Sequence, residues 1–102
     1  MPNKTSDVLA SNKYYVYILF SLKDHKLYIG CLKDFKQRIA EHNGGYVTAT
    51  KHRQPLLLIH YEYFISRPDA VAREKFLKSG FGREQMKKAL KNTLSKLQYK
   101  NL

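Results

Sequence analysis

A mixed domain of sheet and helix is what this 102-residue sequence predicts, on three observations. Residues 14–20 and 56–64 are dense in β-branched and aromatic side chains, the composition of strands. Residues 35–42, 68–78 and 83–97 repeat their apolar positions at three- and four-residue steps, as amphipathic helices do. Polar or glycine-containing breaks separate these stretches. With 43% apolar and 13% aromatic residues the chain folds, and its length suits one domain that buries roughly 60–70% of its unfolded surface.

Residues 1–12 are polar and lack periodicity, which predicts a flexible tail ahead of a domain spanning 13–97, with a second short tail at 98–102. Tyr14-Tyr15-Val16-Tyr17-Ile18-Leu19-Phe20 is an unbroken run, the pattern of a strand covered on both faces. After a polar break comes Lys26-Leu27-Tyr28-Ile29-Gly30, the second strand of a hairpin. A turn centred between Leu22 and Lys23 sets Tyr17 directly across from Tyr28, about 5 Å away on one face.

Asp34 reads as the N-cap of a helix, with Gln37 placed to answer it. Phe35 and Ile39 mark its buried stripe, and Asn43-Gly44-Gly45 ends it. Arg38 and His42 follow Phe35 by three and seven residues, so they rim that stripe. Residues 46–54 form a polar loop. Pro55 then opens a third strand, whose apolar first half, Leu56-Leu57-Leu58-Ile59, predicts a central place in the sheet. The second helix begins near Pro68, at a tolerated first-turn position, and closes at Ser79-Gly80. On its wheel Glu74 falls between Ala70 and Val71 with Leu77 close by, so its carboxylate faces inward or lines a cleft. The last helix, 83–97, sets Met86, Ala89, Leu90, Leu94 and Leu97 against Lys87, Lys88, Lys91 and Lys96.

Nineteen Lys and Arg against eight Asp and Glu give a net charge of +11 and a pI near 9.8. Such a body attracts polyanions, and nucleic acid is the commonest one inside a cell. Docking to an acidic protein or an anionic membrane would rest on charge alone. The single cysteine, Cys31, forms no intramolecular disulfide, and the start of the chain shows no export pattern, so a cytoplasmic location is expected. No apolar stretch approaches the ~20 residues needed to span a bilayer. No Cys or His pair has zinc-ligand spacing. Gly30, Gly44, Gly45, Gly80 and Gly82 make no phosphate-cradling loop.

Tyr17, Tyr28, Arg38, His42 and Glu74 remain, polar groups at the edges of apolar faces. Together they hold what metal-assisted attack on a phosphodiester needs: a carboxylate for a divalent cation, a guanidinium for the phosphate, and a hydroxyl or imidazole for the proton. Singly, each also has a structural reading. The rings can fill a core, Arg38 and His42 can form a solvated helix flank, and Glu74 can pair with Arg73, Lys75 or Lys78.

These residues give the sequence its resemblance to the GIY-YIG nuclease superfamily. Tyr15-Val16-Tyr17 and Tyr28-Ile29-Gly30 stand for the paired motifs, followed by Asp34-Phe35-x-x-Arg38-x-x-x-His42-Asn43 and Ala70-x-x-x-Glu74. The likeness runs over 13–90, and the chain is similar in particular to the small single-domain UPF0213-like group, which carries a loop like Thr50 to Leu56. It implies an α+β fold, a three-stranded antiparallel sheet flanked by helices. It further implies a metal-dependent DNA endonuclease, structure-specific in repair or recombination, with a non-catalytic nucleic-acid-binding module as the alternative. By the same resemblance Glu74 binds one Mg²⁺ or Mn²⁺, Arg38 contacts the scissile phosphate, and Tyr17 and Tyr28 position or deprotonate the attacking water with help from His42. Lys36, Lys51, Arg53 and Lys78 are the basic residues expected to meet DNA, or RNA, from a monomer. A phenol with an ordinary pKa of about 10 serves as a base near neutrality only beside a cation, which a metal or Arg38 supplies. Tyr15 replaces the first motif's glycine, Cys31 stands where a small hydroxyl residue is frequent, and 79–82 replace a common asparagine.

Overall fold

A computed structural model describes residues 13–32 and 35–98, with the side chains of residues 32 and 35–38 outside that description. The two predicted tails and the Asp34 cap therefore lie outside the described residues, Gln98 excepted. Strands β1 (Tyr14–Ser21), β2 (Leu27–Leu32) and β3 (Leu56–Phe64) form one antiparallel sheet. Helix α1 (Phe35–Asn43) follows β2, and α2 (Arg67–Lys78), α3 (Gly80–Ala89) and α4 (Lys91–Lys96) follow β3. This is the α+β architecture expected, a three-stranded sheet flanked by helices.

The strand order is β2-β1-β3, so β1 is central and β3 lies at an edge. The apolar start of β3 does not mark a central strand. Leu56 is buried, but Leu57 beside it is 43% exposed. The run that is covered on both sides is in β1, where Val16 through Ser21 are all buried.

The hairpin register also differs from expectation. Tyr17 pairs with Gly30 and Tyr28 with Leu19, because Ser21 and His25 organise a longer turn. Ser21 Oγ accepts from the N–H groups of Lys23 (3.2 Å) and Asp24 (3.1 Å), and the His25 N–H donates to Ser21 O (2.8 Å). His25 itself takes a left-handed backbone, φ 59°. The turn centre moves by one residue and every partner by two, which preserves the face of each side chain.

Each sheet face has its own layer. Val16, Ile18 and Ile29 pack with Ala70 and Leu77 of α2 and Met86 of α3. On the reverse face Tyr17, Leu19 and Leu56 pack with Tyr28, Leu58 and Ile39 of α1. A salt bridge ties α2 to the edge strand, from Arg73 Nε to Glu62 Oε1 at 2.8 Å, with Nη2 donating to Oε2 at 3.1 Å. Burial pushes the Glu62 pKa up, but Arg73 and then His60, 3.0 Å from Oε2, outweigh it and leave the pKa lowered.

The expected single terminal helix is two helices broken at Leu90, and it starts earlier, at Gly80. Ser79 caps α3, its Oγ accepting from the Gly82 N–H at 3.1 Å. Any side chain at Gly82 would collide with the Phe76 carbonyl, so glycine permits the close turn between α2 and α3. Beyond Leu90, the fully buried Leu94 draws α4 back onto the domain.

Candidate active site

Alternation along β1 and β2 turns Tyr17, Tyr28 and Gly30 toward the α1 side of the sheet. Tyr17 lies over Gly30, where a Cβ would strike its Cζ and hydroxyl oxygen. The third position of the second motif must therefore be glycine for this ring to lie flat against the neighbouring strand. The Tyr17 and Tyr28 ring centroids are 6.4 Å apart.

Helix α1 delivers His42 to the same place. Phe35, Ile39 and His42 follow the i, i+4, i+7 spacing of one helical stripe, which puts the imidazole inside and not on the rim: His42 is fully buried. Its ring meets Tyr28 edge-on at 4.8 Å and Tyr17 at 6.0 Å. Nδ1 lies 2.6 Å from Thr50 Oγ1 and Nε2 lies 3.3 Å from the Tyr17 hydroxyl. A phenol, an imidazole and a hydroxyl thus form one buried chain.

The helix end that fixes this chain is built by local rules. Gly45, at φ 79°, closes α1 with its N–H donating to His42 O (3.2 Å), while the Tyr46 N–H donates to Glu41 O (3.0 Å). Asn43 then clamps α1 to β3, its Nδ2 donating to Leu56 O (3.0 Å) and its Oδ1 accepting from the Leu56 N–H (2.8 Å). The loop after α1 is not simply polar, because Val47 and Thr50 are buried. Arg53 secures it: Nε donates to Asp24 Oδ2 at 2.7 Å and Nη2 to Leu27 O at 3.2 Å, and Ser21 Oγ donates to Arg53 O at 2.6 Å. The Asp24 pKa is pushed up by burial but lowered overall by Arg53, the Lys26 N–H and Ser21. The Arg53 guanidinium thus braces the loop against the hairpin turn, which holds Thr50 under His42. Thr50 and Asn43 belong to the site although the sequence pattern alone does not mark them as site residues. Both stood in the quoted motifs, as the first residue of the loop pattern and the residue after His42.

Glu74 approaches from the other face. Ala70 and Leu77, on either side of it along α2, are fully buried. Its side chain is only 23% exposed, and Lys78 Nζ donates to Oε2 at 3.1 Å. Its charge reaches Cys31 on β2: burial pushes that thiol's pKa up and Glu74 pushes it further, against Arg67 and Lys78. Cys31 is next to Gly30, so the tyrosine-histidine cluster and Glu74 border the same edge strand from its two faces. Arg38 and Lys36 lie on α1, Arg38 one turn before His42, with side chains outside the described atoms. Lys51 is exposed on the loop and Lys78 half-exposed at the end of α2.

Among the described residues no three His, Cys, Asp or Glu side chains gather as a cage for a metal ion. Glu74 offers a single carboxylate, its Oε2 beside Lys78 Nζ, and a hard cation of the Mg²⁺ type keeps most of its water and can be held by one or two carboxylates. No described helix is long and apolar enough to cross a membrane.

Residues 13–89 match the GIY-YIG catalytic domain. A UPF0213 protein of Staphylococcus haemolyticus is 40% identical over 79 residues, covering 76% of this chain and 94% of its own. One of Pediococcus acidilactici is 37% identical over 81 residues, 76% and 82% of the two chains, and one of Haloquadratum walsbyi 40% over 67 residues, 65% and 74%. No solved structure gives a significant match. With Tyr17 laid on Gly30, Tyr28 beside it and the motif pair on adjacent strands, the chain belongs to the GIY-YIG family of the nuclease superfamily.

Proposed function

We propose that this protein is a divalent-cation-dependent endonuclease that hydrolyses phosphodiester bonds in DNA, with structured repair or recombination intermediates as its natural targets. The observation that carries the reading is the buried chain from Tyr17 through His42 to Thr50. In the tautomer that donates Nδ1–H to Thr50 Oγ1, Nε2 accepts from the Tyr17 O–H, so the imidazole can take up the phenol's proton. Tyr28, stacked edge-on against the same imidazole, orients the attacking water. Arg38 neutralises the scissile phosphate, an electrostatic role that typically accounts for about 10²–10³ in rate. Glu74 would hold the cation, which when bound offsets charge on the leaving oxygen. Lys36, Lys51 and Lys78 would meet flanking phosphates, while Arg53 braces the loop first and touches nucleic acid second.

Nicking of supercoiled plasmid and of branched DNA, with Mg²⁺ or Mn²⁺ and with chelator, tests the proposal. Divalent-dependent cleavage by the wild type, lost in Glu74→Ala and Arg38→Ala, is expected. Salt-sensitive binding without cleavage on any of these substrates would replace it with the non-catalytic module.

A further inference from the structure

Beyond Tyr17 and Tyr28 the same sheet face carries three more phenols, Tyr15, Tyr61 and Tyr63. Tyr15 of β1 pairs with Tyr63 of β3, and Tyr17 with Tyr61, so cross-strand neighbours place all four side chains on one side. The Tyr15 ring centroid is 5.6 Å from that of Tyr63 and 5.9 Å from that of Tyr61. Ile39 of α1 packs over the Tyr17, Leu19 and Leu56 end of this face. Tyr61 and Tyr63 remain 51% and 46% exposed. A fold needs aromatic rings in its core; a half-exposed ridge of them, continuous with a catalytic cluster on a strongly basic protein, fits a ligand with flat faces and negative charge.

We propose that Tyr15, Tyr61 and Tyr63 form a stacking platform for unpaired bases of a single-stranded DNA segment next to the scissile phosphate. This deepens the nuclease reading and rests on it. Bases in a duplex already stack on each other about 3.4 Å apart and offer no free face. In a single strand they separate, and rings two residues apart on a strand stand about 7 Å from each other, a spacing open bases can follow. Stacking on aromatic side chains is indifferent to sequence, because every base has a π-face. The platform therefore selects strand state, and the lysines supply affinity for the backbone.

Fluorescence anisotropy in chelator, where nothing is cleaved, tests it with a labelled thymidine strand of about 12 nucleotides, the same strand carrying abasic sites, and a duplex of equal length. The wild type is expected to bind the thymidine strand several-fold more tightly than either of the others. Tyr61→Ala and Tyr63→Ala should each weaken that binding about tenfold and change duplex binding less than about twofold. Tyr61→Phe and Tyr63→Phe, which keep the ring and the fold, should bind like the wild type. Equal affinity for strand, abasic strand and duplex overturns the proposal, as does a parallel loss on strand and duplex. A dimer seen in sedimentation and dispersed by Tyr63→Phe or Tyr63→Ala would also overturn it, by assigning the ridge to a second copy. Because these arms read binding alone, an inactive protein in the nicking assay leaves their outcome separate.

Discussion

Val16 and Ile18 enter a layer of aliphatic side chains from α2 and α3, while Tyr15 and Tyr17, alternating with them along the same strand, enter a layer of phenols, an imidazole and a buried hydroxyl. The first layer needs only shape and apolar area. The second spends burial on polar groups that must each find a partner, and among the described residues every buried side-chain nitrogen and oxygen has one. Strand alternation lets one segment hold the fold together with one set of residues and present chemistry with the other. The helices divide in the same way: α1 delivers His42, whereas α2 mostly supplies packing and releases one carboxylate, Glu74, toward the edge strand.

If that division is right, the aliphatic face should be costly in stability. Leu77→Ala is expected to lower unfolding free energy by about 2–5 kcal/mol in urea titration, the range for truncating a buried leucine. A loss below ~1 kcal/mol would mean this layer is not what holds the sheet. Thr50→Val probes the opposite face. Leaving His42 Nδ1 without its partner should cost about 1–3 kcal/mol and slow cleavage about tenfold, while Thr50→Ser restores both. Restoration of stability but not of cleavage by serine would separate the hydroxyl's structural role from its catalytic one.

Gly30→Ala sharpens the link between the strands. A methyl group there displaces the Tyr17 ring, so nicking should fall at least tenfold with a stability loss of about 1–3 kcal/mol, the usual range for overpacking. Unchanged nicking would show that the ring's place over Gly30 is immaterial to the chemistry. The smallest effect concerns acid. Glu62 and Asp24 have folded pKa values below their ordinary ones, so their contribution is present above the ordinary carboxylate range and lost as pH falls through the lowered folded values. Glu62→Gln should therefore flatten the acid side of the stability profile, by about 1 kcal/mol or less for so open a pair. An unchanged profile would assign the acid limb elsewhere.

Much of this was legible in the sequence because local pattern decides it. The Tyr14 run, the stripe of α1 and the Asn43-Gly44-Gly45 stop all follow from periodicity and turn chemistry. The paired tyrosines stayed on one face although their register was misplaced, since a shift of two residues preserves alternation. What could not be read depended on distant partners. Nothing in 56–59 says whether β1 or β3 is central, because the order is set by β1 pairing with both neighbours. The left-handed His25, where no glycine signals a turn, lengthened the hairpin connection. His42 was legible as lying near the stripe, but its burial required Thr50, eight residues on, to be folded beneath it by Arg53 and Asp24.

The most direct measurement is single-turnover nicking by Tyr17→Phe, with its unfolding midpoint taken alongside. The ring still covers Gly30 and only the hydroxyl facing His42 is gone. Cleavage should drop about 10²–10⁴-fold, with the midpoint moving no more than one lost hydrogen bond allows, about 4–8 °C per kcal/mol for a domain of this size. Cleavage at the wild-type rate from this folded variant would contradict the assignment of the chemistry to the phenol-imidazole face.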